Sequence, residues 1–297
     1  MTDPLAIETT ALRKTYESIE ALRGLDLRVP AGSIFGFLGK NGAGKTTTIK
    51  LLLGLARPTG GEARVLGLNA ADLAANVAIR QRAAFVSEDK DLVDYMTVDE
   101  IVRFTASFFP RWRRDLEEKY RSKFDLRGGQ RVKTLSRGAR SKLALALALC
   151  RGAELLLLDE PTSGLDPAAA EEVLQSLVTH AAGEEQTIFF SSHQLAEVDQ
   201  IADHIAIVDR GRTAIGGSLD DLRAAFRRIQ VVFDGDAPDA TFRTAGVQRI
   251  HRTGRILTVL ASTGADAIVG EARALDPVSI DVTRVTLKEI FLEVTHD

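Results

Sequence analysis

A glycine-rich octapeptide, Gly39–Thr46, constrains the fold of this 297-residue chain more than any other feature. Its letters, GKNGAGKT, fit the pattern G-x-x-x-x-G-K-[ST] between an apolar strand-like run, SIFGFLG, and a helix-like run, TIKLLLGL. Glycines let successive backbone N–H groups turn toward a polyphosphate, and the positive end of the following helix adds attraction. The pattern therefore predicts a buried strand, a phosphate-binding loop and a helix, in that order.

The side chains of this loop add chemistry to its backbone. Lys45 can reach the β- and γ-phosphates of a nucleoside triphosphate, and the Thr46 hydroxyl can bind Mg²⁺. We expect the phosphates to be surrounded by Gly39, Lys40, Asn41, Gly42, Ala43, Gly44, Lys45, Thr46 and Thr47.

A second apolar run, LLLLDEP, ends in the paired carboxylates Asp159 and Glu160. In an open α/β sheet, ligands bind at the carboxyl ends of the strands, so both residues belong near the phosphate loop. Asp159 is placed to hold Mg²⁺ through water. Glu160 points the opposite way, because side chains alternate along a strand, and it is placed to polarise an attacking water.

Strand-like and helix-like runs alternate up to about residue 217, which predicts a parallel α/β sheet. Gly216 and Gly217 then break the pattern, and Ser218 can cap a linking helix, LDDLRAAFRR. The remaining residues to 297 predict strands with two helices. The sequence therefore indicates one domain over 1–217 and a small α+β domain over 218–297.

Charge and composition exclude several classes of protein. The net charge is −3, from 38 basic and 41 acidic residues, so binding of nucleic acid by bulk charge is disfavoured. The single cysteine, Cys150, cannot form an internal disulfide, which fits a reducing cytosol. The N-terminus lacks the apolar run of a signal peptide, and no run approaches the ~20 residues of a membrane span.

Further motifs narrow the range of nucleotide-binding families that this chain can resemble. The segment LSRGA, residues 135–139, precedes LLLLDEP by about one helix, SGLD follows it, and SSHQ places His193 after the next strand. This order resembles the ATP-binding subunit of ABC transporters over residues 5 to about 217. The whole chain is similar to the ATPases of bacterial ABC-2 type exporters. The resemblance implies a P-loop NTPase fold with a mixed sheet core and a helical subdomain at about 92–150.

The resemblance also implies roles for single residues. Tyr16 matches the aromatic residue that stacks on adenine. Ser136, Arg137 and Gly138 fall in the signature that contacts the γ-phosphate of ATP held by a facing subunit, and Asp166 falls in the loop that crosses the dimer interface. His193 matches the histidine that senses the γ-phosphate, which makes the catalytic set Glu160, His193 and Lys45. The other histidines are interpreted as ordinary surface or core residues: His180, His204, His251 and His296.

Two positions depart from the family pattern. Arg137 replaces the usual glycine of the signature, and Ala139 stands where glutamine is common. The second departure is in the segment AFVSEDKDL, which matches the family's lid over the nucleotide. The lid normally carries a glutamine that binds Mg²⁺, and Glu88 stands at that position here. In an alternative register, Asp89 stands at that position instead. An ionised carboxylate only accepts hydrogen bonds, so Glu88 should bind Mg²⁺ but repel a γ-phosphate without metal. We therefore expect the lid to close in a metal-dependent way.

The sequence thus predicts an ATPase, using ATP and Mg²⁺, that drives a separate ABC-2 type permease, with export favoured by the resemblance. It would act as a homodimer or as a heterodimer with a second ABC ATPase, at the inner face of the cell membrane, without nucleic acid. Two alternatives remain open. A soluble ABC ATPase acting on DNA or ribosomes should carry a coiled-coil insertion, a second ATPase domain or a basic arm. An ATP-dependent regulatory switch with little turnover should lack Glu160.

Overall fold

The computed structural model describes residues 4–184 and 186–295; His296 lies outside them. The chain divides into two compact units, Met1–Gly216 and Gly217–Asp297. Up to residue 218 the strands are β1 (Leu5–Tyr16), β2 (Ile19–Pro30), β3 (Ile34–Leu38), β4 (Gly60–Val65), β5 (Leu68–Asn69), β6 (Ala83–Val86), β7 (Leu155–Asp159), β8 (Thr187–Ser192), β9 (His204–Asp209) and β10 (Arg212–Ser218).

The central sheet of the first unit has six strands in the order β10-β9-β3-β8-β7-β6. Strand β3 pairs in parallel with β8 and β9, and β7 pairs in parallel with β6 and β8. All residues of β3, β7 and β8 are buried, as expected for strands covered on both faces. The predicted parallel α/β arrangement is therefore found here, and the carboxyl ends of β3, β7 and β8 meet at one edge.

A second, antiparallel sheet has the order β2-β1-β4-β5. The alternation of strands and helices did not predict this sheet, since β1 and β2 form a hairpin before the first helix. Both sheets share one hydrophobic cluster, in which Leu22 and Leu25 of β2 lie with Phe37 of β3 and Phe189 of β8. The rings of Phe37 and Phe189 are 5.1 Å apart, a separation typical of packed aromatic pairs. This shared core fixes the end of the hairpin relative to the phosphate loop.

The helices of the first unit are α1 (Lys45–Leu52), α2 (Leu73–Arg82), α3 (Val98–Ala106), α4 (Arg114–Lys123), α5 (Arg137–Leu149), α6 (Pro167–Glu184) and α7 (Leu195–Ile201). Thr97 and Glu100 form a capping box at the start of α3, and Ser136 caps α5. Asp166 accepts a hydrogen bond from the Ala169 N–H at 3.0 Å and so caps the start of α6. None of the described helices has both the length and the apolar character needed to cross a bilayer.

The second unit contains α8 (Leu219–Ala225), β11 (Arg227–Val232), β12 (Val247–Thr253), β13 (Ile256–Ala261), α9 (Ala265–Arg273), β14 (Ser279–Arg284) and α10 (Leu287–Val294). Its antiparallel sheet has the order β12-β13-β11-β14. Ile229, Val259 and Ile268 lie in a hydrophobic cluster of its own. The linking helix is shorter than predicted, because Arg227 and Arg228 belong to β11.

Candidate active site

The phosphate loop joins β3 to α1 and depends on glycine at a close approach. Gly44 caps α1 with a φ of 107°, a left-handed conformation that side chains disfavour. A Cβ atom at Gly44 would lie 2.6 Å from Leu22 Cδ2 and 2.9 Å from the Ala21 carbonyl oxygen. The hairpin therefore presses against the loop, and only glycine fits where the helix begins.

Lys45, the first residue of α1, is buried and turned back toward its own loop. Its Nζ donates to the Gly39 carbonyl oxygen at 2.8 Å and lies 3.1 Å from Glu160 Oε1. The predicted phosphate-binding ammonium and the predicted general base are thus brought into direct contact.

The carboxylates at the end of β7 are held by the neighbouring strand. Asp159 lies opposite Ser191 of β8 in the sheet register, and the Ser191 hydroxyl donates to Asp159 Oδ1 at 2.6 Å. The same hydroxyl accepts from the Glu160 backbone N–H at 3.0 Å. Glu160 has a φ of 47°, so the chain turns sharply directly after the strand. Ser191 therefore fixes both predicted acidic residues, a role that the sequence analysis did not assign.

Glu160 lies between two basic groups. Its side chain is 6% exposed; Oε2 lies 2.8 Å from His193 Nδ1, and Oε1 forms an ion pair with Lys45 Nζ at 3.1 Å without the alignment of a hydrogen bond. His193, at 43% exposure, reaches from the end of β8 toward the solvent side of this carboxylate. A buried carboxylate with one oxygen hydrogen-bonded and the other held by charge alone is suited to accept a proton from a water molecule.

A buried carboxylate that the sequence analysis missed supports these loops. Glu197 of α7 accepts from the Thr162 hydroxyl through Oε1 and from the Ser192 hydroxyl at 2.7 Å through Oε2. Thr162 follows Glu160 and Ser192 precedes His193, so one side chain joins the two loops that carry them. The two serines before His193 were the sequence feature that could have pointed to this carboxylate, since buried hydroxyl groups require hydrogen-bond partners.

The lid, residues 87–92, connects β6 to the helical segment. Glu88 Oε1 accepts from the Ser163 hydroxyl at 3.3 Å, and Lys90 Nζ donates to the Glu160 carbonyl oxygen at 3.0 Å. Burial lowers the pKa of Lys90 to about 8, although the carboxylates of Glu88, Asp159 and Glu160 act in the opposite direction. The lid therefore contacts the turn after β7 at two points.

These elements enclose a cleft of about 530 Å³. It is lined by Ile19, Glu20, Ala21, Arg23, Asn41, Gly42, Gly44, Lys45, Thr46, Thr47, Glu88, Glu160 and Arg210. Of the two registers considered for the lid, Glu88 lines the cleft and Asp89 does not. Tyr16 is outside the lining but pairs with Ile19 across the β1–β2 hairpin. Gly39, Lys40, Ala43 and Asp159 are also outside it; Lys40 and Gly39 accept from Lys45 through their carbonyl oxygens.

The predicted signature residues do not line this cleft. Ser136 and Arg137 are exposed at the start of α5, and Gly138 is half-buried there. Gly164 has a φ of 69°, and a Cβ atom on it would lie 2.0 Å from Arg137 Cζ, so the guanidinium lies directly over the loop that leads to Asp166. Within one chain, the signature residues Ser136, Arg137 and Gly138 therefore lie together outside the lining of the cleft.

The residues present fit a magnesium–triphosphate ligand. Thr46, Glu88 and Asp159 offer the hard oxygen atoms that Mg²⁺ prefers, and the buried Glu160 Oε1, which is ion-paired with Lys45 but makes no aligned hydrogen bond, fits a water held by such a ligand. No group of three or more histidine, cysteine or acidic residues able to hold a metal occurs in the described part of the chain. Magnesium bound with a nucleotide needs only one or two carboxylates, because the phosphates supply further ligands.

Similarity to known proteins agrees with this geometry. Residues 22–163 match the family model described as ABC transporter. The daunorubicin resistance ATP-binding protein DrrA3 of Streptomyces coeruleorubidus is 35% identical, over 98% of this chain and 96% of its own length. The nickel import ATP-binding protein NikO of Rhodobacter capsulatus is 34% identical, over 78% of this chain and 99% of its own.

A solved structure described as the ATP binding subunit of an ABC transporter superposes with a TM-score of 0.67 at 29% identity, covering 74% of this chain and 92% of that one. The fold and the ATPase activity predicted from the sequence are thereby confirmed: this chain belongs to the ATP-binding subunits of ABC transporters.

Proposed function

We propose that this chain is the magnesium-dependent ATPase subunit of an exporter and that it drives a separate ABC-2 type permease. The observation that carries the ATPase part of the proposal is the contact set of Glu160, whose two carboxylate oxygens face Lys45 at 3.1 Å and His193 at 2.8 Å beside the phosphate loop. In domain terms, residues 1–217 are the ATP-binding domain, 92–150 its helical subdomain and 218–297 an accessory domain.

The chemistry follows from charge and position. The loop amides and Lys45 hold the phosphates, and Thr46, Asp159 and Glu88 would hold Mg²⁺, which would supply positive charge beside the phosphates. Glu160 accepts a proton from the attacking water, and His193 keeps the Glu160 carboxylate oriented. Most of the rate enhancement then comes from alignment and charge neutralisation.

A second protomer completes the site in this proposal. Ser136, Arg137, Gly138 and Asp166 lie away from the cleft of their own chain, so they act on ATP bound by the partner. The exposed start of α5 directs backbone N–H groups outward, which suits an anion on a facing surface. Tyr16 stacks on adenine from the hairpin beside Ile19. Both a homodimer and a heterodimer with a second ABC ATPase fit this arrangement.

Export is preferred because of what the relatives cover. The drug resistance relative matches nearly the whole chain, including the second unit, whereas the import relative is aligned over 99% of its own length but only 78% of this chain. The second unit is thus a feature shared with the resistance protein. The subunit would lie at the inner face of the cell membrane through its permease and would not bind nucleic acid.

Glu160→Gln tests the catalytic assignment. It keeps the shape of the side chain but removes its proton-accepting charge, so turnover should fall roughly 10²- to 10⁴-fold while ATP binding persists. ATP should then trap a dimer, measured by size-exclusion chromatography with light scattering. The matched control is Glu118→Gln, an exposed position on α4. Parental turnover in Glu160→Gln would remove Glu160 from this role.

Glu88→Gln tests the metal assignment. The Mg²⁺ concentration that gives half-maximal ATPase activity should rise, because a neutral amide attracts the cation less than a carboxylate. Calorimetric titration of Mg²⁺ with ATP and Glu160→Gln protein gives a second readout. An unchanged Mg²⁺ dependence would contradict the assignment.

Co-expression with a candidate membrane permease tests the transport role. A stable complex that shows ATP-dependent drug accumulation in inside-out vesicles would support an exporter, and ATP-dependent uptake into cells would instead support import. A chain that hydrolyses ATP without binding any membrane protein would favour the soluble alternative.

A further inference from the structure

The side chain of Lys90, in the lid, is only 6% exposed, although the adjacent Glu88, Asp89 and Asp91 are all exposed. Lysine is rarely buried, because removing an ammonium group from water is costly unless that group is well paired. The family resemblance assigns nothing to this position. Its burial therefore calls for a specific set of partners.

Two carbonyl oxygens supply them. Lys90 Nζ donates to the backbone oxygen of Glu88 at 3.1 Å and to that of Glu160 at 3.0 Å. The Glu160 carbonyl also accepts from the Ser163 backbone N–H at 3.1 Å, within its own turn. One ammonium group thus joins the lid to the residue proposed as the general base. It contacts the backbone of that residue and leaves its carboxylate free for Lys45 and His193.

The backbone on both sides of this contact is strained. Lys90 has a φ of 51° and Glu160 a φ of 47°, in the left-handed region that residues other than glycine seldom adopt. The Lys90 backbone N–H donates to the Ser87 carbonyl oxygen at 3.3 Å, which closes a turn and directs the side chain inward. Such conformations persist where surrounding contacts over-determine them, and they concentrate at functional sites.

The charge of Lys90 also suits this lid. Glu88 puts a carboxylate into the cleft close to Asp159 and Glu160, and the ammonium group of Lys90 attracts all three carboxylates. Lys90 therefore offsets the charge that Glu88 introduces.

We propose that Lys90 is a positioning residue for ATP hydrolysis, which holds the lid against the turn that carries Glu160 so that Glu88 and Glu160 are placed together. The inference rests on the proposed catalytic role of Glu160. Because Lys90 acts through backbone atoms of the catalytic turn, its loss should slow the chemical step and leave ATP binding by the phosphate loop intact.

Steady-state ATPase kinetics on the full chain test this proposal with Lys90→Met, Lys90→Arg and the control Lys123→Met, which replaces an exposed lysine on α4. Lys90→Met should lower kcat roughly tenfold and change KM for ATP less than about twofold, as expected for losing charged hydrogen bonds in the reacting state. Lys90→Arg, which keeps charge and donors, should recover part of the loss. Lys123→Met should match the parent.

A second readout needs no turnover. Hydrogen-exchange mass spectrometry on nucleotide-free protein should show faster amide exchange in residues 87–92 of Lys90→Met, because one anchor of the lid is lost. If Lys90→Met does not fold, Lys90→Gln, which keeps an N–H donor without the charge, takes its place with the same expectation for kcat.

The outcomes separate this proposal from the one it rests on. A parent without magnesium-dependent turnover would overturn the proposed function and the role of Lys90 with it. An active parent with unchanged kcat and lid exchange in Lys90→Met would overturn the role of Lys90 alone. A parallel change of kcat and KM with a lowered Tm would also overturn it, since Lys90 would then serve only stability.

Discussion

Replacing Ser191 by alanine should destabilise the first unit. The Ser191 hydroxyl is buried and makes two hydrogen bonds, donating to Asp159 at 2.6 Å and accepting from the Glu160 backbone N–H at 3.0 Å. Alanine fills nearly the same volume. The substitution therefore removes polar contacts without opening a cavity.

The expected cost follows from these two contacts. A hydrogen bond to a charged group contributes about 1.5–3 kcal/mol, and a buried N–H left without a partner costs about 1–3 kcal/mol. We therefore expect Ser191→Ala to lower the free energy of unfolding by about 3 kcal/mol, which corresponds to a Tm roughly 10 °C lower for a unit of this size.

Equilibrium urea unfolding measures this change. The single tryptophan of the sequence, Trp112, lies in the first unit, so its fluorescence follows that unit. The control is Ser107→Ala: its exposed hydroxyl donates to the Phe104 carbonyl oxygen, and its loss should cost less than about 0.5 kcal/mol. A Ser191→Ala protein within about 1 kcal/mol of the parent would refute the reasoning, because two buried polar groups would then have been left unpaired at little cost.

Three further predictions concern other parts of the first unit. Gly164→Ala should cost about 1–2 kcal/mol in urea unfolding, because alanine disfavours a φ of 69° and its Cβ atom would displace the Arg137 guanidinium; parental stability would contradict this. His180 is hydrogen-bonded to Tyr120, and burial lowers its pKa below the ordinary value of 6.5. Just below pH 6.5, the unfolded chain therefore binds a proton at this residue that the folded chain does not. The free energy of unfolding should therefore fall as the pH drops below about 6.5, and His180→Gln should lose this component in urea titrations at about pH 7.5 and 5.5. Burial raises the pKa of Cys150 to about 12, so a maleimide should label this thiol only after unfolding, as measured by mass spectrometry; rapid labelling of folded protein would contradict this assignment.

The sequence predicted those parts of the fold in which local pattern and tertiary environment agree. Strands β7 and β8 were recognised as apolar runs because both are buried on both faces. The β1–β2 hairpin was missed, since the burial of β1 does not alternate regularly and register shifts interrupt its pairing with β2. The predicted linking helix extends to Arg228, because Arg227 and Arg228 favour a helix locally. In the structure α8 ends at Ala225, since sheet pairing with β13 and β14 places both arginines in a strand.

The candidate site shows the same division. Lys45, Asp159 and Glu160 were found because each stands at a fixed spacing within a motif. Ser191 and Lys90 were missed, because a serine at a strand end and a lysine among acidic residues look ordinary in sequence. Their roles arise only when the sheet register and the lid turn bring them against Asp159 and Glu160.

The pairing of Lys45 with Glu160 bears on ligand selectivity. An incoming anion must compete with an internal carboxylate for the same ammonium group, so a weakly charged ligand gains little from entering. Displacing Glu160 from Lys45 therefore requires a ligand with several negative charges. That ligand must also bring a cation that compensates the charge of the released carboxylate. The phosphate loop thus selects against monoanions through competition with Glu160 for Lys45 as well as through its shape.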